Sequence, residues 1–150
     1  IKELYYVRES SNDALMELLP YLVEQMLKLE EINVFSDGIT NILDLPEYND
    51  VVKAREFISF VEDKDSVVKL LQYASEDDLD ICIGSENKNY ELRDCSLITA
   101  TYKFNGKLIG KIGVIGPTRM NYSNVISTVK SISDAISEII NQNFNGESKE

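Results

Sequence analysis

The run Gly110-Lys111-Ile112-Gly113-Val114-Ile115-Gly116-Pro117-Thr118-Arg119-Met120-Asn121-Tyr122 decides how this chain folds, because it joins a strand, a turn and a helix start. Leu108, Gly110, Ile112 and Val114 alternate with Ile109, Gly113 and Ile115, so both faces are apolar and the strand belongs in a sheet interior. Gly110 and Gly113 suit close approach of a helix or a neighbouring backbone. Gly116-Pro117 ends the strand. Asn121 or Ser123 can then cap a helix in which Tyr122, Val125, Ile126, Val129, Ile132, Ile136, Ile139 and Ile140 form one stripe, a helix that should cover the sheet.

Immediately upstream, Asn105-Gly106 separates two alternating runs, which predicts an antiparallel hairpin of 97–104 with 107–115 around a type I′ turn. Leu79, Ile81 and Ile83 share one face of a further strand, and a polar loop follows over 86–94. Before residue 76 the period is helical. A helix of about 18 residues starts at Ser11 or Asn12 and carries Leu15, Leu18, Leu19, Leu22, Val23, Met26 and Leu27, with Pro20 expected to kink or split it. Its apolar stripe is wide enough for a buried helix or for one shared with a second subunit. A short strand over 32–35, a turn at 36–38 and a short helix over 39–43 come next. Pro46 suits the first turn of a helix reaching Glu62, with Tyr48, Val51, Val52, Arg55 and Ile58 on one face. Asp65 is a cap candidate for a last short helix bearing Val67, Val68, Leu71 and Ala74. Leu4 to Val7 fit a strand or a helix equally.

Composition narrows the chemistry. Fifteen basic against 26 acidic side chains give a formal charge of −11, which opposes DNA binding by this stretch alone. The sequence has no His, so the commonest general base and zinc ligand are missing. Cys82 and Cys95 read as reduced thiols rather than a disulfide. We expect no metal, no cofactor and no catalysis, and, without a membrane-length apolar run or signal peptide, a cytoplasmic location. A start at Ile1 rather than Met reads as a piece of something longer.

The 110–122 run resembles the signature of the HrcA family, heat-inducible transcription repressors of bacterial chaperone operons. Asp37-Gly38-Ile39-Thr40-Asn41-Ile42-Leu43 followed by Pro46-Glu47-Tyr48, and Ile83-Gly84-Ser85-Glu86-Asn87 leading into Ser96-Leu97, resemble the same family in the same order. The resemblance implies an α+β fold: a GAF-like antiparallel sheet with a C-terminal covering helix over residues 76–142, preceded by a helix-rich dimerising insertion over 1–75 and followed by a disordered tail over 143–150. It implies a homodimer, a link to the chaperonin GroEL, and contact with an inverted-repeat (CIRCE) operator only through an N-terminal winged helix absent from this sequence. Gly113, Gly116, Pro117, Thr118, Arg119, Met120 and Tyr122 are its motif residues, with a structural role.

Several residues are candidates for function. Arg119, just before a helix start that favours a phosphate or carboxylate, is a ligand-site candidate together with Thr118 and Glu86, although an internal pair of Arg119 with Glu86, Asp94 or another acid weighs more. Thr118 lacks an activating base for nucleophilic chemistry. Leu15, Leu19, Leu22 and Met26 are candidates for a dimer seam. The alternative function, a small-molecule-sensing GAF-like module, would draw Tyr102, Phe104, Tyr90 and Cys82 around one pocket.

Overall fold

A computed structural model describes residues 2–6, 17–22 and 33–147. The architecture is α+β, with strands β1 (Lys2–Tyr6), β2 (Asn33–Asp37), β3 (Leu79–Ile83), β4 (Cys95–Phe104) and β5 (Lys107–Pro117) in one sheet of order β2-β1-β5-β4-β3. β3, β4 and β5 form the antiparallel part of a GAF-like sheet. The α+β class, the antiparallel sheet and its covering C-terminal helix are as expected, and β1, in the stretch that fits a strand or a helix equally, adds a strand parallel to both β2 and β5. Parallel neighbours need a long crossover, so no local turn announces them in the sequence. The sheet therefore takes strands from both sides of residue 76.

The hairpin forms through Asn105 at φ 51° and Gly106 at φ 77°, the backbone that a type I′ turn demands. The strands exceed the predicted range by two residues at each outer end, and a register shift between Tyr102 and Lys103 sits near the turn. β5 is interior as expected, with Gly110 to Gly116 buried. A Cβ on Gly113 would lie 3.2 Å from Leu71 Cδ2 and 3.4 Å from Thr99 Cγ2, so this glycine lets a helix side chain and the neighbouring strand close on β5.

Helix α1 (Val51–Glu62) starts later than Pro46. Ile39–Asp44 and Pro46–Tyr48 are 3₁₀ turns, and Asp50 is the N-cap, accepting a 2.9 Å bond from the Val52 amide. The later start moves the buried face. Ala54, Phe57 and Val61 are buried, whereas Val51 and Val52, assigned to that face from spacing, are 70% and 64% exposed. α2 (Lys64–Tyr73) has Asp63 rather than Asp65 at its N-cap. α3 (Tyr122–Glu147) buries Val125, Val129, Ile132, Ile136 and Ile140 and continues into the stretch expected as a tail.

The sheet separates two apolar cores. On one face α3, Leu19, Ile98, Ala100, Tyr102, Ile112 and Val114 pack together. On the other, α1, α2 and the 3₁₀ turns enclose Ile42, Phe57, Leu71, Leu92, Leu97 and Ile115. Residues 17–22 are helical. No helix among the described residues is long and apolar enough to cross a membrane.

Candidate functional site

The turn from Pro117 to Asn121 gathers most of the polar architecture. A Cβ on Gly116 would stand 2.8 Å from Met120 Cε, so glycine lets Met120 fold back over the strand end. The Met120 amide closes the turn on the Pro117 carbonyl at 3.2 Å. Tyr122 Oη donates to the Thr118 carbonyl at 2.5 Å and lies 2.8 Å from Ser96 Oγ. With its proton committed to Thr118, the Tyr122 oxygen must accept from Ser96, which ties the helix start to β4.

Arg119 reaches away from this network to Glu47, with Nε–Oε1 at 2.5 Å and Nη2–Oε2 at 3.3 Å. This two-point geometry matches the guanidinium fork to a carboxylate. The hydrogen bond from Arg119 holds the Glu47 carboxyl below its ordinary value, and the same contact raises Arg119. Spacing in the sequence did not single out Glu47, whose separation from Arg119 is 72 positions.

The other candidate acids are engaged elsewhere. Glu86 accepts a 2.7 Å bond from the Ile83 amide, and Asp94 pairs with Lys53. Thr118 abuts the same loop, since a Cβ on Gly84 (φ 58°) would lie 3.6 Å from its Cγ2. Arg119, Thr118 and Glu86 thus serve three separate contacts. Asn87, buried at the centre of the loop, directs Nδ2 at the Gly84, Leu92 and Cys95 carbonyls at 3.0, 3.1 and 3.0 Å. The Tyr48 hydroxyl is hydrogen-bonded to the Cys95 thiol. Burial pushes Cys95 up to about 11, and burial together with the thiol contact raises Tyr48.

Lys111 is the polar residue that sequence reading passed over as part of an apolar strand. It is 2% exposed, and Nζ donates to the Leu71 and Ala74 carbonyls at 2.7 and 2.8 Å. A cation at the end of α2 meets carbonyls left free by the helix and the negative end of its dipole. A lysine amid apolar strand residues was the available signal.

The residues considered for a ligand pocket do not converge. Tyr102 and Phe104 belong to the α3 side, Cys82 packs on the opposite side, and Tyr90 is exposed under the Arg93 guanidinium at 5.2 Å. Of the dimer-seam candidates, Leu19 is buried in the chain's own core and Leu22 packs partly against it, whereas Leu15 and Met26 lie outside the described residues. Leu18 and Tyr21 are exposed on the same helical segment.

Comparison with known proteins gives a consistent result. Residues 1–126 match the family model described as HrcA protein C terminal domain. A heat-inducible transcription repressor HrcA of Clostridium tetani is 41% identical over 127 residues, covering 84% of this chain and 36% of that protein. Its counterpart in Alkaliphilus metalliredigens is 37% identical over 139 residues, covering 93% of this chain and 40% of the relative. The chain therefore spans about two fifths of these relatives. A crystal structure of a hypothetical protein aligns with TM-score 0.57 at 17% identity, over 69% of this chain and 32% of that one, a likeness of fold alone.

Proposed function

Because this chain belongs to the HrcA family through its C-terminal domain, we propose that it is the dimerisation and regulatory region of a heat-inducible transcription repressor acting in the cytoplasm. The observation that carries this reading is the family match over residues 1–126. The charge of −11 supports a division of labour in which another part of the repressor, a winged helix, contacts the CIRCE inverted repeat of chaperone operons. This region holds two copies together and loses its fold on heating, and GroEL favours the active form. The dimerising role falls to the part before residue 76, although β1 and β2 lie in the same sheet as the GAF-like remainder.

Division of Tyr102, Phe104, Cys82 and Tyr90 between two cores and the surface favours this role over small-molecule sensing. Sedimentation equilibrium tests it: a dimer at tens of micromolar is expected, and a strict monomer counts against it. In a gel-shift comparison the chain alone should leave the inverted repeat unbound. Specific retardation by this chain would refute the division of labour.

A further inference from the structure

The flank of α1 beside its buried face, where Ile58 is half-buried against the chain's own core, is organised unlike an ordinary solvated helix face. Val51, Arg55, Ile58 and Glu62 follow one another at i, i+4, i+7 and i+11, one stripe along about 16 Å of helix. Leu43 and Tyr48 flank it, and together these residues line an open groove of about 430 Å³. Val51 and Leu43 are 70% and 50% exposed, so the groove carries apolar surface that the described residues leave uncovered.

Its two charged groups are also uncovered. Neither Arg55 nor Glu62 makes an ion pair or side-chain hydrogen bond among the described residues, while Lys53, Lys103 and Arg119 each pair with a carboxylate. Arg55 and Glu62 are seven positions apart, and Ile58 and Ser59 lie midway between them. Reversing the helix about that midpoint exchanges the positions of the two charges.

We propose that this face docks against the same face of a second copy, with the two α1 helices antiparallel about a two-fold axis near Ile58. Each Arg55 then meets the Glu62 of the other copy, and the Ile58 side chains meet at the centre, an isologous contact. Charge order argues for this occupant. A stripe carrying both signs in an order that inverts under two-fold rotation is complementary to itself, and two copies of charge −11 need such local attraction to approach. The inference rests on the homodimer reading above and assigns it a surface.

Sedimentation of the 150-residue chain with reciprocal charge substitutions tests it. Arg55→Glu and Glu62→Arg are each expected to weaken self-association by about tenfold or more. An equimolar mixture of the two variants should restore wild-type association. In the mixed dimer the introduced carboxylate of one copy faces the introduced guanidinium of the other, and the retained Glu62 of the first faces the retained Arg55 of the second. Both positions are exposed, so thermal melts of the variants should overlay the wild type. A wild-type dimer indifferent to both substitutions overturns the α1 surface and leaves the homodimer standing. Loss in both variants without recovery in the mixture overturns the reciprocal pairing and means that this face meets a different surface of the second copy. A chain monomeric at about 100 µM overturns both readings.

Discussion

The Lys111 ammonium lies 2.7 Å from the Leu71 carbonyl, so the central strand of the sheet caps the end of a helix packed across it. The Ala74 carbonyl, at 2.8 Å, shares the cation. This contact couples β5, the α2 terminus and the core between them.

Replacing Lys111 by Met keeps the aliphatic stem and removes the donor, leaving two helix-end carbonyls unpaired. A loss of about 2–4 kcal/mol is expected, from the penalty for orphaned buried polar groups and the lost dipole interaction. Urea unfolding measures it. A change within about 0.5 kcal/mol, the range of ordinary surface substitutions, would show that water replaces the ammonium at no cost.

Glu47 links stability to pH through Arg119. Its folded value is lowered from the ordinary 4.5, so its contribution is present above that value and lost as pH falls through the lower folded value. Arg119→Ala should remove this dependence. The stability gap between wild type and variant should be widest near neutral pH and close under acid. A gap independent of pH would show that the pair is absent in solution.

The two motif glycines should differ in cost. At Gly113 an added methyl meets Leu71 and Thr99 inside the packed layer, so Gly113→Ala is expected to destabilise by about 1–3 kcal/mol. At Gly116 the clash is with the far end of Met120, which can swing aside, and Gly116→Ala should cost about 1 kcal/mol or less. Equilibrium unfolding of both variants ranks them. The reverse order would mean that Met120 is held more rigidly than the inner layer.

Thiol labelling of the native protein should distinguish the cysteines. Cys95 is buried and pushed up to about 11, whereas Cys82 is partly exposed, though raised as well by burial. At pH 8 Cys82 should react at least about tenfold faster than Cys95. Equal rates would show that the β4 end opens freely.

The hairpin, the interior character of β5 and the α3 stripe were legible because each is written in neighbouring residues: Asn105-Gly106 needs positive φ, and periods of two and 3.6 sort side chains onto faces. Family membership was legible in the same run. The face of α1 was not, since its phase depends on where the helix starts, and Asp50 displaced Pro46 in that role. Among the candidate residues, Arg119 stood out by its position, but its partner did not.

Local residue order determined the strand-turn-helix joint at 110–122 and the lack of histidine chemistry. Tertiary structure alone decided that β1 and β2 run parallel beside β5, that Lys111 caps α2, and that Arg119 bonds to Glu47. The reason is separation along the chain. Turn and periodicity energies act within a few residues, whereas these contacts join groups 37 to 72 positions apart or strands linked by crossovers, and form only once both cores have packed against the sheet.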